Sequence, residues 1–226
     1  MLPTEYIQKL DNQIFNIIQN IQMDYEDGIL EQDLNHENSI IHYFSKLENT
    51  DDFSCVNFLI ENGQYFGTLF NEFDLLNIGS YSFILKHPTD EDKIIKVFMS
   101  KKYDNNFKYI EAIFNKKFND VNWTPLIFSV NFSKLNENIV FVEMERLENI
   151  IYSKNKTNVS FDEYYSLSNF NLNPDIYLKT NSNIINKIMN IMNLKSIDDL
   201  DLSINNVMLR MKKNNNYDFV YTDVLF

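Results

Sequence analysis

Near the end of the sequence, Asp201, Asn206 and Asp223 have the types and spacing to hold a hard cation beside a phosphate. Residues 207–211 and 217–222 are rich in strand formers, and the polar run 212–216 between them reads as a turn. A hairpin brings its open ends together, so Asn206 and Asp223 are expected side by side. An amide carbonyl and a carboxylate at one place suit Mg2+, which prefers oxygen ligands and fills its shell with waters and phosphate oxygens. Asp201 lies in the loop entering the hairpin, within reach of a substrate hydroxyl beside the metal-bound phosphate. The chemistry this pattern points to is phosphoryl transfer. Asp201 would be the base or hydroxyl-orienting group, and Asn206 and Asp223 the metal ligands.

The elements that must position a nucleotide lie upstream. Residues 75–86 read as strand, turn and strand, 87–92 as the next turn, and 93–98 as a third strand. Residues 108–118 are helical in pattern. Pro125 opens two more strands, 126–132 and 139–144, joined by the polar turn 134–138. Strand side chains alternate faces, so Lys96 shares a face with Ile94 while Ile95 and Val97 pack the other side. Glu111 on the helix is the carboxylate best placed to hold a lysine reaching into a cleft. Residues 151–174 are irregular and polar. Ser182 or Asn183 can then cap a helix carrying Ile184, Ile185, Ile188, Ile191 and Met192, which leads into the loop at Asp201.

Ahead of residue 75 the pattern is structural. Ile7, Leu10, Ile14, Ile17, Ile18 and Ile21 mark one apolar face of a helix over 6–23, which Gly28 breaks. A second helical stretch is expected around 40–47 and a mixed segment over 53–73. His36, His42 and Cys55 lack metal or triad spacing and are read as structural.

The chain has 226 residues, enough to bury a sizeable core, and a net charge of −12. That charge argues against simple binding to a nucleic-acid backbone, which needs Lys and Arg, and permits basic protein partners. A single cysteine excludes a disulfide framework. With no apolar run of membrane-spanning length and no signal-peptide layout, a reducing cytoplasm is the expected compartment and no membrane partner is expected. The scarcity of Gly, Pro and Ala beside abundant Asn, Ile, Lys and Asp resembles the coding bias of an AT-rich genome.

The Asp-x-x-x-x-Asn loop from Asp201 to Asn206, the short hairpin and the following Asp223 resemble the protein-kinase superfamily. Ile94-Ile95-Lys96-Val97 is similar to the strand whose lysine holds the α- and β-phosphates of ATP. The resemblance makes Glu111 the partner of Lys96, Gly79 and Ser80 the start of the phosphate loop, and Glu143, Met144 and Glu145 the hinge whose backbone binds the adenine edge. It implies ATP and Mg2+ as cofactors. The fold it implies is α+β, a truncated two-lobed kinase-like fold. A helical N-terminal extension would span 1–70, an N-lobe with a five-stranded antiparallel sheet and a helix 71–147, and a small C-lobe 148–226. Leu202, Asn206, Val207, Met208, Arg210, Thr222 and Asp223 look most like compact bacteriophage-encoded serine/threonine protein kinases. The likeness covers about 150 residues from Leu75 onward and implies modification of host proteins in the host cytoplasm.

Several positions depart from that pattern. Only the first glycine of the phosphate loop is present, with Tyr81 and Ile84 in the other two places. Asp199-Leu200 replaces the His-Arg pair before the catalytic aspartate, and Ser203 stands where a lysine is common. Val224 rather than Phe follows Asp223, so control by phosphorylation of an activation loop is not expected. Two other readings follow: a pseudokinase that keeps the fold without transfer, and an acidic interaction protein that inhibits a host nucleic-acid-binding enzyme.

Overall fold

The three- and four-residue recurrence of apolar side chains in the first segment produces helix α1 (Thr4–Glu26), whose buried face is Leu10, Ile14, Ile17, Ile18 and Ile21. A computed structural model describes residues 4–26, 63–78, 82–99, 105–115, 117, 122–136, 139–149, 174–196, 200, 206–212 and 216–222; the helical stretch expected around 40–47 lies outside them. Helix α2 (Gly63–Phe73) falls within the segment expected to be mixed and buries Phe66, Leu69 and Phe73 at helical spacing. Gly63 and Gly67, poor helix formers, mask that pattern in the sequence. The two helices pack together. Tyr6 sits edge-on to Phe73 with ring centroids 5.2 Å apart, and the Tyr65 hydroxyl donates to Asp24 at 2.6 Å.

Strands β1 (Leu75–Ile78), β2 (Ser82–Lys86), β3 (Lys93–Met99), β4 (Ile127–Phe132) and β5 (Ile139–Glu145) form a five-stranded antiparallel sheet in the order β1-β2-β3-β5-β4. The expected strands agree with these within a few residues. Alternation turns Phe83 and Leu85 of β2, Ile95 and Val97 of β3, and Ile139 and Phe141 of β5 into one core with the apolar faces of α1 and α2. Each such side chain contributes about 1.5–3 kcal/mol on burial. Buried Asp11 of α1 adds a polar tie. It accepts hydrogen bonds from the Ser133 hydroxyl at 2.5 Å and the Lys134 N–H at 3.0 Å, in the β4–β5 turn. Asp74 ends α2 with a left-handed φ of 50°, which Asp tolerates better than most residues, and its carbonyl accepts from the Lys86 N–H.

A second core gathers helix α3 (Asn105–Phe114), helix α4 (Pro174–Met192) and the hairpin of β7 (Val207–Met211) and β8 (Tyr217–Tyr221). It contains Tyr109, Ala112, Trp123, Ile185, Ile188, Leu200, Val207, Leu209 and Tyr221. The short strand β6 (Glu148–Asn149) pairs with β7. Helix α4 begins eight residues before the cap expected at Ser182. Proline suits a first helical position because φ is already helical and no N–H is lost there. Ile176, Tyr177 and Leu178 run consecutively rather than at helical spacing, so periodicity gave no sign of this first part. Asn193, with φ 55°, ends the helix in the left-handed conformation common at that position.

The chain divides into two compact units: Met1–Asp104 with Phe128–Met144, and Asn105–Ile127 with Glu145–Phe226. This partition differs from boundaries at 70 and 147. Helix α1 shares its core with the sheet, and α3 shares the core of the second unit. Periodicity identifies an apolar face but does not say which core it joins. Among the described residues, no helix is long and apolar enough to cross a membrane.

Candidate functional site

The β7–β8 hairpin forms as the spacing predicts, with Val207 opposite Tyr221 and Met211 opposite Tyr217. The Lys212 N–H donates to the Asn216 carbonyl at 2.7 Å, closing the turn. At the open end, the Thr222 N–H donates to the Asn206 carbonyl at 2.8 Å, and the Thr222 hydroxyl approaches the same oxygen at 3.2 Å. Asn206 therefore meets the residue that precedes Asp223. Asp201 and Asp223 themselves lie outside the described residues, as do Gly79 and Ser80. The two proposed ligands, Asn206 and Asp223, are both oxygen donors, which suits Mg2+ and not a thiolate- or imidazole-seeking metal. Among the described residues, no group of three or more His, Cys, Asp or Glu side chains is arranged to hold a metal ion.

The hairpin is clamped from behind by Arg210, all within the second unit. Its guanidinium spans Glu145: Nε donates to Oε2 at 2.8 Å, and Nη2 donates to Oε1. The same group donates to the Thr124 carbonyl at 2.7 Å and the Asn122 carbonyl at 3.2 Å. Glu145 Oε1 also accepts from the Leu126 N–H at 2.7 Å. The hydrogen bonds that Arg210 donates to Glu145 raise the guanidinium pKa further above its ordinary value, so the guanidinium stays charged. Buried Tyr109 donates from its hydroxyl to the Tyr221 carbonyl at 3.0 Å, and the Tyr221 N–H donates to the Trp123 carbonyl at 3.0 Å.

In the first unit, Lys96 lies on β3 opposite Ile84 of β2 and on the face away from Ile95 and Val97, as alternation predicts. Its side chain is buried, with Nζ 4.7 Å from the centre of the Phe98 ring. Glu111 is exposed on α3, in the second unit. A pairing of Lys96 with Glu111 therefore belongs to the functional proposal below.

Glu143, Met144 and Glu145, the residues assigned to the hinge, are buried residues of β5. The Glu145 N–H already donates to the Leu126 carbonyl at 3.0 Å, and its carboxylate serves Arg210. Glu143 has no solvent exposure and accepts from Lys93 Nζ and the Ser129 hydroxyl, each at 3.1 Å.

Around Glu143 lies a polar cluster that the sequence reading missed. His87 is buried, and its Nδ1 accepts from the Thr89 N–H at 3.3 Å. The proton of the neutral ring is then on Nε2, which faces Glu143 Oε1 at 3.5 Å. Burial lowers the His87 pKa despite the nearby carboxylate, so the ring is neutral at pH 7. Burial would raise the Glu143 pKa, but the hydrogen bonds from Lys93 and Ser129 outweigh it and leave the pKa lowered. The signal available in sequence was a single carboxylate inside the apolar run 139–144, where an unpaired charge is costly.

Both shifts act in one direction. His87 binds a proton more readily unfolded, so stability falls as pH drops below its ordinary value of 6.5. Glu143 contributes stability that is present above its ordinary value of 4.5 and lost as pH falls through the lowered folded value. Melting temperature should therefore decline from pH 7 to pH 5, with a steeper loss below pH 4.5. His87→Gln, which cannot titrate, should flatten the pH 7–5 part of a thermal-melt series. An unchanged slope would remove His87 from the account.

A shallow, open depression of about 650 Å3 is lined by Phe70, Asn71, Asp74, Leu75, Leu76 and Lys86. None of the sequence-predicted site residues lines it.

No protein-family model matches the chain, and no curated protein matches it. Forty-two solved chains do. One is the crystal structure of the Mycobacterium tuberculosis PknI kinase domain, at 10% identity and a TM-score of 0.33, covering 66% of this chain and 56% of that one. The chain thus spans little more than half the length of the kinase domain it matches. The chemistry of the site has to come from the chain's own residues.

Proposed function

We propose that this protein transfers the γ-phosphate of ATP, with Mg2+, to serine or threonine hydroxyls of other proteins. The observation that carries the reading is the hairpin mouth, where Asn206 is bonded to Thr222, the residue before Asp223. Asn206 and Asp223 would hold Mg2+, whose contribution when bound is to neutralise phosphate charge. Asp201 orients the attacking hydroxyl and accepts its proton. Lys96, held by Glu111, holds the α- and β-phosphates, and the Gly79-Ser80 turn covers them with its backbone. The backbone of Glu143, Met144 and Glu145 would meet the adenine edge. The substrates are host proteins of a bacteriophage-type kinase acting in the host cytoplasm, which the likeness of the 201–223 segment favours.

A second reading, a nucleotide-binding scaffold with little transfer, is favoured by the exposure of Glu111, the proposed partner of Lys96.

Calorimetric titration with Mg-ATP tests nucleotide binding directly. Lys96→Ala should weaken it about 10–100-fold, the equivalent of one or two charge-assisted hydrogen bonds. The variant's melting curve checks that the buried position tolerates the change. Equal affinity in a folded variant would remove Lys96 from the site.

A further inference from the structure

The last rung of the β7–β8 ladder pairs Val207 with Tyr221, and beyond a last rung the two strands are free to diverge. Here they do not. The N–H and hydroxyl of Thr222 both point at the Asn206 carbonyl, at 2.8 and 3.2 Å. A carbonyl oxygen has two lone pairs, so one residue supplies a donor for each. Fixing that carbonyl fixes the plane of the following peptide and, with it, the direction in which the Asn206 side chain leaves the backbone.

Thr222 is itself held from the core side. The carbonyl of Tyr221, which forms the peptide bond to Thr222, accepts from the Tyr109 hydroxyl at 3.0 Å, and the Tyr221 N–H donates to the Trp123 carbonyl at 3.0 Å. Tyr109 and Tyr221 are fully buried, and Thr222 is 7% exposed. Valine would fill nearly the same space without a hydroxyl to desolvate, and both side chains are stiff at χ1. The hydroxyl is therefore the informative difference at this position.

We infer that Thr222 is a positioning residue for Asn206, and that Tyr109 anchors it, so that the asparagine amide is aimed before a metal ion arrives. This rests on the reading of Asn206 as a metal ligand given above. It adds two residues that touch neither metal nor nucleotide and act through the backbone.

The test is Mn2+ binding, followed by the loss of the free-ion electron paramagnetic resonance signal in the presence of a non-hydrolysable ATP analogue. Thr222→Val should raise the Mn2+ dissociation constant about 2–10-fold, as expected for one lost hydrogen bond. Thr222→Ser, which keeps the hydroxyl, should restore the native value. Tyr109→Phe should also weaken binding, and it carries the test if Thr222→Val does not fold. Native Mn2+ affinity in folded Thr222→Val or Tyr109→Phe, even with a lowered melting temperature, would overturn the inference and leave these residues a structural role. Absence of Mn2+ binding by the native chain would overturn it too. If the native chain binds Mn2+ but transfers no phosphate, the kinase reading fails while the affinities of the variants still decide the role of Thr222.

Discussion

Asp201→Asn lowers phosphate transfer from ATP to protein by about 10²–10⁴-fold, the usual contribution of a positioned general base. The amide matches the carboxylate in size but neither carries the charge nor accepts the proton of the attacking hydroxyl. The choice of Asn also separates the two roles open to this residue. An Asx turn, in which the side-chain oxygen bonds the backbone two residues on, is served equally well by Asn. A purely structural Asp201 would therefore leave both activity and melting temperature unchanged, whereas the catalytic role predicts lost transfer with retained stability. Mg-ATP affinity should change little, because Asp201 is assigned to the hydroxyl and not to the phosphates.

The largest expected effect on stability is at Glu145. Glu145→Ala removes the bidentate partner of Arg210 and the acceptor of the Leu126 N–H together. Breaking one side of a buried pair typically costs about 3–5 kcal/mol, because the remaining charge is left uncompensated. Arg210 is 18% exposed, and its bonds to the Asn122 and Thr124 carbonyls persist, which favours the lower end of that range. For a chain of this size the melting temperature should fall by roughly 6–20 °C. Arg210→Met combined with Glu145→Ala should cost less than the sum of the two single changes, since the second removes the stranded charge. Strict additivity in a denaturation series would show that the pair does not act as a unit.

The parts of this fold that were legible in sequence are those set by short-range patterns. Apart from Arg210 and Asp218, the strand residues flanking Lys212 to Asn216 are β-branched, aromatic or long and apolar, and they pair in the register that brings Asn206 to Thr222. Alternation alone put Lys96 on the face opposite Ile95 and Val97. The interval between Ile7, Leu10, Ile14 and Ile21 was enough for α1.

What was not legible depends on partners distant in sequence. Glu145 and Arg210 are 65 positions apart, and nothing in their local context marks them as a pair. The resemblance assigns Glu143 to the hinge, and nothing in its local context shows which side chains would meet its carboxylate. Lys93 and Ser129 satisfy its carboxylate, so the strand continues through both glutamates. The period of α3 likewise revealed an apolar face without saying that Tyr109 would reach Tyr221 in the second core.

The most direct test of the central claim is transfer of label from γ-labelled ATP, with the purified chain mixed into a bacterial lysate whose own kinases have been heat-inactivated. The account predicts Mg2+-dependent labelling of lysate proteins on serine and threonine, abolished by a chelator and by Asp201→Asn. Folded native protein that leaves every lysate protein unlabelled, while a known kinase added to the same mixture labels them, would contradict it.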